Sequence, residues 1–189
     1  DLVVSTMGGS TALLFGDGAG GFAAPRFFDG SGYCAEAADL NGDGVPDIVT
    51  ASYSPGWVRP SLGRGDGTFI SQPSCAVGNG ANAIVVRDFN GDGLPDIAVT
   101  NQSSSNVSLL RGNGDGTFQL QQTLNVGTQP GSLAVGDFNG DGRPDLAVAN
   151  QAYTASSTWL GTSYSSTVSI LLNQASGNFT GQTAAVSVA

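Results

Sequence analysis

Three stretches of the chain place oxygen-bearing side chains at one recurring spacing. They are Asp39, Asn41, Asp43 and Asp47; Asp88, Asn90, Asp92 and Asp96; and Asp137, Asn139, Asp141 and Asp145. Each obeys Asp-x-Asn-x-Asp-Gly-x-x-Asp, so that positions 1, 3, 5 and 9 can face one point inside a tightly curled loop. Gly at position 6 allows a sharp turn that a Cβ would penalise. Position 7 is Val45, Leu94 or Arg143, whose contribution would be a main-chain carbonyl. Oxygen donors without sulfur or imidazole select a hard cation, which favours calcium (Ca2+) over zinc or copper. Magnesium is the poorer guest because it demands a smaller, strictly octahedral cage. About three ions are expected, one per complete loop. A single Asn-Gly-Asp-Gly would be explained as a turn; three copies that keep every oxygen position are not. The pattern is no EF-hand, because position 12 is Thr50, Val99 or Val148 and the flanking runs read as strands.

The elements that must hold these loops recur with them. "DLNGDGVPDIVTA" (39–51), "DFNGDGLPDIAVT" (88–100) and "DFNGDGRPDLAVA" (137–149) repeat at a period of 49 residues. A Gly-Asp-Gly turn ends at Phe69 and again at Phe118, with weaker relatives ending at Phe22 and Phe179. The last loop Asp stands 22 residues before Phe69 and Phe118, and Asp1 stands 21 before Phe22. Asp1 therefore reads as position 9 of a fourth loop. From Asp145 to Phe179 the distance is 34, which implies a 12-residue insertion in the last repeat.

Each repeat reads as four short strands, for example 82–89, 96–101, 106–112 and 117–126, rich in Val, Ile, Leu, Phe and Thr and bounded by Gly, Asn, Asp or Pro. The first two are almost continuously apolar, as for strands covered on both faces; the fourth alternates and should be outermost. Four-stranded units of 40–50 residues imply an all-β fold, a β-propeller of four-stranded antiparallel blades. The divisions are 1–30 (a partial blade), 31–78, 79–127 and 128–189, making three complete blades plus three strands of another.

With these loops and Phe-Gly-rich turns in place, the chain resembles the integrin α-subunit propeller and its bacterial relatives, the FG-GAP or VCBS repeat proteins. The resemblance implies a propeller, usually of seven blades, with calcium in hairpins between the first and second strands of a blade. It also implies that connections between second and third strands lie on the opposite face, where integrins engage ligands. Against seven blades, the count here leaves two ways to finish a ring: a larger propeller, or a strand supplied by another chain.

The second-to-third connections hold the conspicuous aromatics. Tyr53 and Trp57 lie in "SYSPGWVRP" (52–60), and Tyr153, Trp159 and Tyr164 in the inserted segment 151–167. Such rings either pack against neighbouring blades or form a contact surface for protein or glycan. Arg64-Gly65-Asp66 spells an adhesion tripeptide, yet it occupies a hairpin turn that reads Asn113-Gly114-Asp115 one repeat later. Cys34 and Cys75 fall at strand ends on one face with two strands between them, which leaves a disulfide open. Asn101, Asn106 and Asn178 begin glycosylation sequons.

Composition narrows the function. Fifteen acidic residues against six Arg give a net charge of -9, with no His and no Lys. Nine of the fifteen sit in the three loops, so the acidity looks like cation-site acidity. Nucleic acid and anionic lipid both select basic surfaces and are poor partners. No stretch reaches the 18 or more apolar residues of a membrane helix. Ser-His-Asp and Cys-His arrangements, lysine Schiff bases and P-loops are all ruled out. Carboxylate-pair chemistry has one Glu, Glu36, to draw on, which argues against an enzyme. Calcium is abundant outside cells, so the expectation is an extracellular or cell-surface module for adhesion or ligand binding. The alternative is a structural subunit that assembles with copies of itself.

Overall fold

The computed structural model describes residues 1–6, 10–28, 32–119, 122–154 and 163–186. The side chains of 28, 152–154, 163–165, 176 and 182–186 lie outside that description.

Four antiparallel sheets follow one another along the chain. The first contains β1 (Leu2–Ser5), β2 (Thr11–Leu14) and β3 (Arg26–Phe28), in that order. The second contains β4 (Cys34–Ala38), β5 (Asp47–Ser52), β6 (Trp57–Gly63) and β7 (Phe69–Ser71), with β8 (Cys75–Ala76) also paired to β6. The third contains β9 (Ala81–Arg87), β10 (Asp96–Asn101), β11 (Asn106–Leu110) and β12 (Gln122–Asn125). The fourth contains β13 (Pro130–Gly136), β14 (Asp145–Thr154), β15 (Ser163–Asn173) and β16 (Phe179–Val186). These are the blades of a β-propeller. Their innermost elements pack in succession, β1 against β4, β4 against β9 and β9 against β13. Among the described residues no sheet closes on itself.

The core lies between blades, which explains the continuous apolar runs. Successive residues of a strand face opposite sides. Ile97 and Val99 of β10 therefore join Val49, Ala51 and Val58 of the second blade. Ala98, between them, joins Leu146, Val148 and Leu171 of the fourth. Every residue of β10 is buried. The first strand departs from expectation: β9 is only half-buried, being the edge strand of its sheet among the described residues. β12 is outermost, as its alternation predicts, with Leu124 alone buried.

The first sheet offers a contrast. Leu2 is 47% exposed, whereas Ile48, Ile97 and Leu146 at the same place in the other blades are 2%, 0% and 0%. Those three strands each have a first strand beside them; β1 has none among the described residues. In the last blade the insertion lengthens a hairpin, with β14 and β15 paired out to Thr154 and Ser163.

The cysteines are free thiols, contrary to the bridge that the sequence left open. Cys34, Ala51, Val58 and Cys75 stand opposite one another in one row across β4, β5, β6 and β8. Three interstrand steps of about 4.8 Å each exceed the roughly 7 Å between Cα atoms that a disulfide tolerates. Burial, helped by the charge of Glu36, pushes the Cys34 thiol up to about 12.

Candidate metal centres

The three loops join first to second strands, and each curls around its own first carboxylate. Asp39 Oδ1 accepts from Gly42 N (2.8 Å) and Asp43 N (3.2 Å), and its Oδ2 accepts from Gly44 N (2.9 Å). Asn41 Oδ1 accepts from Asp43 N, and Asp43 Oδ1 from Val45 N. The second loop repeats this through Asp88 with Gly91 and Gly93, Asn90 with Asp92, and Asp92 with Leu94. The third repeats it through Asp137 with Gly140 and Gly142, Asn139 with Asp141, and Asp141 with Arg143. These N–H donors hold the carboxyls of Asp39 and Asp137 below the ordinary range, Gly44 N and Gly142 N foremost. Position 4 proves as constrained as position 6: Gly42 and Gly44 have φ of 76° and 80°, and the other two loops match them. The Asn-Gly-Asp-Gly repetition carried that signal.

Position 9 has a distinct place. Asp47, Asp96 and Asp145 are fully buried. One oxygen of each accepts from the position-2 N–H: Leu40 (2.8 Å), Phe89 (3.0 Å) and Phe138 (2.9 Å). The other accepts from the end of the third strand: Gly63 (2.7 Å), Gly112 (3.0 Å) and Asn173 (2.7 Å). One carboxylate thus ties three strands together. Asp1 accepts from Gly16 N at 2.8 Å in the same way, as its spacing to Phe22 implied. Desolvation pushes the Asp47 and Asp96 carboxyls up, and the neighbouring loop carboxylates add to the rise.

The residues present fit a hard divalent cation. Carboxylate and amide oxygens crowd each loop, and at the buried Asp47 carboxylate Asp43 and Asp39 add repulsion. Among the described residues no three acidic, His or Cys side chains converge on one point by themselves. An ion would therefore draw on the Asn oxygens and main-chain carbonyls as well. The third loop differs, because Arg143 pairs with Asp141 and donates to Asn173 O at 2.9 Å. Asn173 itself escaped the sequence reading. It stands where Gly63 and Gly112 stand in earlier blades, and its Nδ2 donates to Phe89 O of the preceding loop (2.6 Å).

The remaining candidates scatter. Tyr53 is partly exposed, its ring 5.1 Å from that of Tyr33, and the Arg59 guanidinium lies 4.6 Å over the ring of half-buried Trp57. Tyr153 and Tyr164 are cross-strand partners of β14 and β15, but their side chains, and the whole of Trp159, lie outside the described residues. Asp66 of the Arg-Gly-Asp turn points back at its own chain, accepting from Thr68 N and Oγ1 (2.9 and 2.6 Å). Asn101 is fully buried against Ser108 Oγ (2.8 Å), so that sequon cannot accept a glycan.

No curated protein matches the chain. A family model for the FG-GAP-like repeat matches residues 39–99 and 88–148, each match opening on position 1 of a loop. One for the FG-GAP repeat matches 130–171. The first alone runs through more than half of the 189 residues, and with four successive antiparallel sheets behind it the chain belongs to the FG-GAP repeat family.

Proposed function

We propose that this chain is a calcium-stabilised, extracellular β-propeller module, with ions at the loop end of its blades and a protein or glycan partner at the other. FG-GAP repeat domains are generally binding modules rather than enzymes. The observation that carries the reading is the threefold recurrence of one curled oxygen-rich loop, in two of which neighbouring carboxylates repel the buried position-9 carboxylate. A cation turns that repulsion into a clamp. Asp39, Asn41, Asp43, Asp47 and the Val45 carbonyl would hold the first ion, and the matching residues of the other loops the second and third. Arg143 already sits beside Asp141, so the third site should be the weakest.

Thermal melts in calcium and in excess chelator test this. Each ion stabilises by about 2.7 kcal/mol when free calcium is 100 times its dissociation constant, so chelation should lower the melting temperature markedly. Identical melts would end the proposal.

A further inference from the structure

At the end of the blades away from the metal loops, three connections surround a groove of about 450 Å³. Tyr53 comes from the β5–β6 turn. Gln102, Ser103 and Ser105 come from the β10–β11 turn, and Thr128 and Gln129 from the β12–β13 connection. The volume falls within the roughly 300–1,000 Å³ of small-ligand pockets. Every lining side chain carries a hydroxyl or a carboxamide, and none carries a charge. The Tyr53 hydroxyl donates to Gln102 Oε1 (2.9 Å), and Ser103 Oγ lies 3.5 Å from it.

Two strained residues meet here. Ser105 (φ 53°) and Gln129 (φ 49°) are the only non-glycine residues with left-handed backbone among those described. Such residues are uncommon, and an observed outlier of this kind points towards function. One repeat earlier, 49 residues before Gln129, the same place is taken by Gly80 at φ 83°. Glycine is the unstrained choice at this turn, and the chain has replaced it with Gln. The strained backbone is pinned, with Gln129 N donating to Ser105 Oγ (3.3 Å) and Gln129 O accepting from Gln151 N (3.2 Å). Yet Gln129 Oε1 is buried with no hydrogen-bond partner. A residue that costs conformational energy and leaves a buried acceptor unmet contributes nothing evident to stability.

We propose that this groove binds an uncharged sugar residue of a glycan. A neutral sugar presents hydroxyl donors and acceptors at high density, which hydroxyls and carboxamides match. Its C–H face suits the Tyr53 ring, which Tyr33 backs at 5.1 Å. The Gln129 carboxamide and the Ser103, Ser105 and Thr128 hydroxyls, which line the groove, address the sugar hydroxyls. No ionic group is offered to a charged peptide or an acidic sugar. This assignment rests on the proposed function of that end as a binding surface.

The test places the whole chain, in calcium, on an array of neutral and acidic glycans, followed by calorimetric titration with the best-bound neutral sugar. Gln129→Gly should weaken binding by roughly tenfold or more while leaving the melting temperature unchanged or raised. Tyr53→Phe, which keeps the ring, should weaken binding by a smaller factor. A Gln129→Gly variant that binds like the parent, which would leave water as the occupant, overturns the assignment. So does a preference for acidic glycans, the absence of any bound glycan, or a lower melting temperature for Gln129→Gly. Binding insensitive to Gln129 but lost in Trp57→Ala would remove the groove and keep the binding end. Identical melts in calcium and chelator strike instead at the calcium half of the proposed function.

Discussion

Where β4 turns into β5, β9 into β10 and β13 into β14, the chain repeats one nine-residue turn with closely matched hydrogen bonds. At the other ends of those blades the connections between second and third strands differ from one blade to the next. One connection holds a cis Ser54–Pro55 peptide, the next a left-handed Ser105, and the last a hairpin lengthened by an insertion. At the loop end nearly every side-chain oxygen already satisfies a backbone N–H, so variation there removes a partner from the fold. At the opposite end the connections bridge strands that the interblade cores hold anyway, so their sequences are free to diverge. Under the proposed function, structural duty and recognition fall to the two ends of the same strands.

The largest expected effect tests the rigid end. Asp96→Ala strips the acceptor from two buried N–H groups, those of Phe89 and Gly112. At roughly 1–3 kcal/mol for each orphaned donor, the variant should lose a large share of the stability of a domain. Denaturant unfolding in chelator isolates this effect from cation binding. A midpoint equal to that of the parent would break the comparison.

A smaller effect is expected where the variable end becomes tight. Gly80→Ala forces a Cβ onto left-handed backbone, at about 1–2 kcal/mol, and drives it into Ser103 N. The melting temperature should fall, although no metal loop is touched. No change would mean that this end is looser than its hydrogen bonds imply.

The smallest effect belongs to the exposed turns. The Thr117 hydroxyl, aided by the Thr117 N–H, holds the Asp115 carboxyl below its ordinary range. A folded-state value below the unfolded one stabilises above the unfolded value, about 3.9, and that contribution is lost as pH falls through the folded value. Asp115→Asn should therefore show a slightly shallower loss of melting temperature on acidification below about pH 4. The turn is open to solvent, so added salt should shrink the difference. Parallel pH profiles for parent and variant would remove Asp115 from the account.

Much of this architecture could be read from residues near one another in the chain. The spacing of Asp39, Asn41, Asp43 and Asp47 declares a curled loop, because a turn of nine residues is decided by those residues and their glycines. The period of 49 placed β10 at 96–101, where it lies. The distance from Asp1 to Phe22 marked Asp1 as a position-9 residue, and it accepts from Gly16 N as Asp47 accepts from Gly63 N. Other features depend on residues that meet only when blades pack. The row from Cys34 to Cys75 separates two thiols that strand ends alone left pairable. Asn173 reaches Phe89, 84 positions away, and the Tyr53 hydroxyl reaches Gln102, 49 away. Nothing local marks Gln129 as strained or its oxygen as buried, since both follow from how the β12–β13 connection is pressed between its neighbours. Local hydrogen bonding wrote the loops into the sequence, and the packing of one blade on the next decided the shape of the opposite end.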